Sequence, residues 1–454
     1  MRRSVILVAA LVLSHNICAD DVIATQVRVA PELGSVTVRA CGPKDLEFAP
    51  PDARFRDYYN PPEPHTWVRD GCVQYAFSLS SAAESRRSRD VVRVGSDVIA
   101  AASAWLLPAK SNLDRVIEFE LPPGVYVSAP WQTLAPRTRM RASANSSETE
   151  ALVAFMHLSP HSELVGDTRL DIAMLDSLPP VNPADVAIWV SAAARNVTLA
   201  YGRFPVARVQ VLVVPVLGVW PNRRSSAPLE AVPFARVLRS GGFTVQFFVN
   251  QKAPLREYLA DWTATHEFSH LLLPYVQRSD AWVSEGFASY YQNVLMARGG
   301  VLDERRAWQK LVEGFERGRR ERYDDTLDES IRHHGPNMLM RMYWSGAAVA
   351  LLADVAMRRT SPPTSLDTVL QQLAGCCLDI AKTWTGLELF TKLDELAGRA
   401  VFTPLYYSTA RATEFPDVEP VLTELGVRRN GAQVSLDNRA PLADVRNAIM
   451  TKVQ

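Results

Sequence analysis

The chain has 454 residues, 47% of them hydrophobic and 22% charged, with 49 basic residues balanced by 49 acidic ones. That length supports two or three domains around a large core. The even charge balance argues against nucleic acid or an anionic membrane surface as partner.

In chain order, Arg2 and Arg3 precede an apolar run from Val5 to Leu13, and Ile17-Cys18-Ala19 follows. A charged start, a short apolar run and a small residue at the cut predict a signal peptide over residues 1–19. The run is too short to span a bilayer. The expectation is an exported protein, periplasmic or secreted, with no stable membrane span after cleavage. Cys18 then leaves with the signal. Cys41 and Cys72 flank strand-like segments, and an oxidising compartment favours bridging them. Adjacent Cys376 and Cys377 read as free, buried thiols, and no Cys-x-x-Cys pair suggests a thiolate zinc site.

Residues 20–180 predict an all-β domain. Val36–Ala40, Val73–Phe77 and Val116–Glu120 largely alternate apolar with polar, separated by Pro- and Asn-rich turns. Leu178 to Pro183 reads as a linker. Residues 181–300 then mix helix and strand, with a helix over 184–201 and strands over 209–214 and 243–249. From Pro254 onward helix dominates: about 254–273, 281–298, 303–318, 344–359 and 364–374. Residues 301–454 form a C-terminal helical region. The class is therefore α+β.

The chemistry-bearing stretch is THEFSHLLLPYVQRSDAWVSEGFASYY, Thr265 to Tyr291. Pro254 suits the first turn of a helix and Pro274 its end. Leu255, Leu259, Trp262, His266, His270 and Leu273 recur at spacings of four and three, predicting one inward stripe of one helix. Two imidazoles four residues apart can grip one ion, and Glu267 can reach a water on it. This is the His-Glu-x-x-His pattern, with His266 and His270 as metal ligands and Glu267 as general base. Ser279-Asp280 and Gly299-Gly300 bracket a second helix. Glu285 lies in its first turns among apolar neighbours, where a solvated glutamate would be out of place, and is the candidate third ligand. Two histidines, a glutamate and an open position make a catalytic zinc set, one Zn2+ per chain.

His266-Glu-Phe-Ser-His270 followed by Trp282-Val-Ser-Glu-Gly-Phe-Ala-Ser-Tyr-Tyr291 resembles the gluzincin metallopeptidases, and most closely the glycyl aminopeptidase family with its Trp-x-Ser-Glu-Gly-Phe-x-Ser-Tyr-Tyr segment. Phe234 to Gly242, leading into a strand, and Tyr343-Trp-Ser-Gly-Ala347 resemble two further family elements. The resemblance implies a thermolysin-like catalytic domain and a peptide or protein substrate. It makes Tyr343 the candidate oxyanion stabiliser. It also implies that the strand opened by Gly241 and Gly242 binds extended substrate. Four features depart from the family. Only 14 residues separate His270 from Glu285. Ser345 stands where relatives hold lysine, no glutamate follows Gly241-Gly242 to hold a substrate amine, and Ser289 replaces an aspartate behind a histidine. No C-terminal PDZ module is expected. A catalytically idle scaffold that binds peptides or a protein partner is the competing reading. His333-His334, in a loop leading toward Tyr343, are weaker candidates for substrate contact. Exo- versus endopeptidase action and oligomeric state are not fixed by sequence.

Overall fold

The structure, a computed structural model, describes residues 21–451 apart from 86–89, 145–150, 177–180, 218–228, 335–337, 381 and 432. The predicted signal segment and the first half of the predicted linker, 178–180, lie outside the described residues.

The N-terminal part is built from two sheets. In the larger, strands Tyr59–Asn60, Cys72–Ser78, Ser35–Cys41, Val22–Val29, Asp114–Glu120, Arg139–Ala142 and Gln132–Thr133 lie side by side in that order. Val22–Val29 alternates buried Ile23, Thr25, Val27 and Val29 with more exposed neighbours, as a strand covered on one face must. Cys41 and Cys72 are opposite one another in the ladder and disulfide-bonded. A four-stranded sheet, Val91–Val94, Asp97–Ala101, Leu152–Met156 and Tyr126–Ser128, leans on the next layer.

That layer is a five-stranded sheet. We label its strands β1 (His161–Val165), β2 (Thr168–Met174), β3 (Arg208–Val216), β4 (Phe234–Leu238) and β5 (Thr244–Asn250), in spatial order β1-β2-β3-β5-β4. β2, β3 and β5 run parallel, while β1 and β4 close the two edges antiparallel. The sheet thus begins ahead of the boundary expected at residue 180. β1 and β2 read as more of the β domain because a strand's pattern does not name its partner. β3 is buried along seven consecutive residues, as a parallel strand covered on both faces must be. One face, through Leu212 and Val214, packs on Ile99, Leu152, Ala154 and Met156 of the four-stranded sheet. The other, through Val211, Val213, Val245 and Phe247, packs on helices.

Those helices are α1 (Pro183–Thr198), α2 (Leu255–Ala260), α3 (Thr263–Ser269), α4 (Ala281–Arg298), α5 (Glu304–Arg320), α6 (Leu339–Arg358) and α7 (Leu366–Ala374). The single helix expected over 254–273 is broken at Asp261. The Asp261 backbone turns extended, and its side chain accepts from the Thr263 N–H at 2.7 Å, restarting the chain as α3. Leu259 and Trp262, expected on the inward stripe, are therefore exposed, while His266 and His270 are buried.

α4 and α6 cross at two glycines. A Cβ on Gly286 would meet the Gly346 backbone at 2.2 Å, and one on Gly346 would meet the Trp282 carbonyl at 1.9 Å. Only glycine permits that approach. Just past α7, Cys376 and Cys377 are bonded to each other rather than free, a pairing that adjacency in sequence does not announce.

Candidate metal centre

Three helices bring the predicted residues together. α3 supplies His266 and Glu267, and its continuation, the short turn His270–Leu272, supplies His270. α4 supplies Glu285 in its second turn, and α6 supplies Tyr343. His266 Nε2 lies 3.3 Å from Glu285 Oε2 and His270 Nε2 lies 3.5 Å from the same oxygen. Donors about 2.05 Å from a tetrahedral zinc lie about 3.3 Å from one another, so this spacing fits such an ion. Glu267 also offers an oxygen within 4.8 Å of both imidazoles. Its placement suits a water beside the ion, because the Glu285 oxygen already meets both rings.

Each imidazole is oriented from behind. His266 Nδ1 is 2.8 Å from Gln292 Oε1, and His270 Nδ1 is 2.9 Å from Ser284 Oγ. Gln292 Oε1 can only accept, which puts a proton on His266 Nδ1 and leaves Nε2 free to ligate. Gln292 sits two turns beyond Glu285 on the same face of α4. It provides the support that Ser289 cannot, and the seven-residue spacing was the sequence signal for it. Arg239 holds the end of the histidine-bearing segment, donating to the carbonyls of His270 at 2.6 Å and Leu273 at 2.8 Å. The His270 carbonyl also accepts from the Leu273 N–H at 3.3 Å, so Arg239 reinforces the end of that turn.

The electrostatics follow from burial and neighbours. Burial lifts Glu267 above the usual carboxylate range, against the pull of both histidines. Burial also opposes ionisation of Glu285, but the two imidazoles overcome it and hold that carboxyl well below its usual range. His266 is raised: burial works against its charge, and the Glu285 hydrogen bond and the Glu267 charge prevail. Burial, reinforced by the charges of Glu285 and Glu267, pushes the Tyr343 phenol far up, so it keeps its proton. Its ring stacks on His266 at 5.9 Å between centroids.

These groups open into a cleft of about 370 Å³ whose opposite wall is β4, from Phe234 to Val237. A larger cavity of about 830 Å³ lies behind α3 and contains none of the ligand atoms. Gly241 and Gly242 are not the substrate wall. They make the turn between β4 and β5 at φ 72° and 146° and pack against Trp131 and Pro130. β5, the strand they open, is paired on both sides. Among the described residues the free edge belongs to β4, one strand earlier. His333 pairs with Asp325 at 2.9 Å in an exposed position and is not part of the cleft lining. The His334 side chain lies outside the described residues. Ser345, 1% exposed, is buried in the helix packing and does not face the cleft.

Residues 272–345 match the model of the M61 glycyl aminopeptidase family. The match includes Glu285 and Tyr343 and begins two residues after His270. Over that segment the chain is similar to the family, and the resemblance read from the sequence agrees with it. No curated protein matches it. Among solved structures it is similar to an aminopeptidase N family protein from Idiomarina loihiensis, at 12% identity and a TM-score of 0.64, over 89% of this chain and 78% of that one. It is also similar to an M1 zinc metallopeptidase from Deinococcus radiodurans, at 12% identity and a TM-score of 0.52, over 88% of this chain and 95% of that one. At that identity the likeness is one of fold.

Proposed function

We propose that this protein is an exported, zinc-dependent, aminopeptidase-like metallopeptidase that hydrolyses peptide bonds. The observation that carries the reading is the convergence of two imidazole Nε2 atoms on one carboxylate oxygen at 3.3 and 3.5 Å, beside a second buried carboxylate. His266, His270 and Glu285 would hold one zinc ion. When bound, the ion supplies Lewis-acid activation of water and of the scissile carbonyl.

The remaining work falls to side chains. Glu267, buried and with a raised affinity for protons, takes a proton from the attacking water and delivers it to the leaving amine. Tyr343, kept protonated, donates its O–H to the oxygen that becomes negative as the carbonyl is attacked. The exposed edge of β4 offers backbone N–H and C=O groups to an extended peptide. Export rests on the charged and apolar segments of residues 1–19. The two disulfides are in keeping with an oxidising compartment.

The test is cleavage mapping on a peptide library with the zinc-loaded protein and its Glu267→Gln variant. The variant should bind one zinc per chain and lose about 1,000-fold or more in turnover. Full activity in Glu267→Gln would remove the general base. Peptide binding by the wild type without any cleavage would favour the scaffold reading.

A further inference from the structure

The charge lining the cleft is lopsided. Its acidic groups are Glu267 and Glu285, both turned to the paired imidazoles, and a bound dication would offset them. Its other charged side chains are Arg239 and Arg278. Among the described residues no carboxylate lies within ion-pair distance of either. Arg239 gives its terminal nitrogens to the carbonyls of His270 and Leu273, which are neutral acceptors. Arg236 borders the cleft only through the β4 backbone: its side chain donates Nε to Gln246 Oε1 at 2.8 Å on the sheet face turned to the four-stranded sheet. Arg278 stands exposed in the short turn Arg278–Asp280 that leads into α4. Its guanidinium is free to turn toward whatever enters. In a chain of zero net charge, this leaves a local positive field at the mouth of the cleft.

We propose that the cleft selects peptides carrying a carboxylate close to the scissile bond, received by Arg278, with the partly buried Arg239 supplying the field behind it. This specificity rests on the hydrolase reading above. A guanidinium meets a carboxylate through two parallel N–H donors, a geometry that the isosteric amide cannot match in charge. The same chemistry can come from an Asp or Glu side chain or from a substrate's free C-terminus.

The experiment uses the full zinc-loaded chain and matched peptides, with Glu or Gln at positions flanking the cut, each with a free or an amidated C-terminus. The read-out is the ratio of kcat/KM between partners. Glu peptides should exceed Gln peptides about tenfold or more, as expected for a charge-assisted contact. A ratio that instead follows C-terminal amidation assigns the carboxylate to the chain end and supports the same site. Arg278→Glu should invert whichever ratio is found, with an unchanged melting temperature as the control for folding. Equal rates across all four peptide types, or a ratio untouched by Arg278→Glu, overturn the proposal. If no peptide is cut, fluorescence anisotropy of labelled peptides on zinc-loaded Glu267→Gln decides it. Tighter binding of carboxylate peptides upholds the specificity while the hydrolase reading fails, and equal binding overturns the specificity itself.

Discussion

Helix α4 carries two buried polar clusters, one at each end, and they are built on opposite plans. Near its start Glu285 faces two imidazoles across a gap of ion size. Towards its end Tyr290 donates to Asp354 at 2.7 Å and Tyr291 to Asp367 at 2.9 Å. There Arg298 meets Asp367 at 2.9 Å, and Arg358 meets Asp354 at 2.9 Å and Asp367 at 3.2 Å. The second cluster is complete, with two guanidiniums for two carboxylates, and the remaining Arg298 donors end on the carbonyls of Ile449 and Leu199. The first gathers two imidazoles and two carboxylates around a gap of ion size, and it opens to a cleft. A closed network holds helices in place. An open set of acceptors is what a cation requires.

Four substitutions break or sharpen that contrast. Glu285→Ala should abolish stoichiometric zinc and reduce peptide cleavage about 1,000-fold or more, read by metal analysis alongside turnover. The fold should survive, because the metal-free cluster contributes little internal pairing. Asp367→Ala does the reverse. It leaves Arg298 buried without its carboxylate and Arg358 with Asp354 alone, and should destabilise the protein by about 3–5 kcal/mol in denaturant unfolding, with zinc stoichiometry of the folded fraction intact. Tyr343→Phe removes one hydroxyl and should cost about 100-fold in kcat with unchanged zinc content. The smallest effect is expected at Asp328, beside Asp280 at the start of α4. Burial first, then the Asp280 charge, raises its pKa from 3.8 to about 6. An acid with a raised folded pKa weakens the fold once pH exceeds that value and is neutral in effect below its unfolded pKa. Asp328→Asn should therefore stabilise by at most about 1 kcal/mol above pH 6, given its partial exposure. The gain should fade by about pH 4 in thermal melts across pH.

The two ends of α4 also differ in how much of them the sequence disclosed. The helix itself was legible to the residue, 281–298, because Asp280 and Gly299 punctuate it. His266, Glu267, His270 and Glu285 were legible because ionisable groups on apolar faces need a reason. The closed network was not, because Asp354, Asp367 and Arg358 look like ordinary helix charges until tertiary contact joins them. Nor was the substrate edge legible: β4 and β5 have similar patterns, and which of them ends the sheet depends on pairing. The break at Asp261 was hidden by a periodicity that runs unbroken through it, since the side-chain turn that causes it leaves the spacing intact. Ser284 gave no signal beyond adjacency to Glu285.

The glycine crossing of α4 and α6 makes one jaw of the cleft unyielding. Where main chain touches main chain there is no rotamer to flip and no methyl to compress, so an arriving ligand cannot wedge Tyr343 away from Glu285. Accommodation of bulkier or longer guests must come from the facing jaw, the lone-edged strand from Phe234 to Leu238 and the turn that follows it. Variants with altered size tolerance should accordingly map to that side.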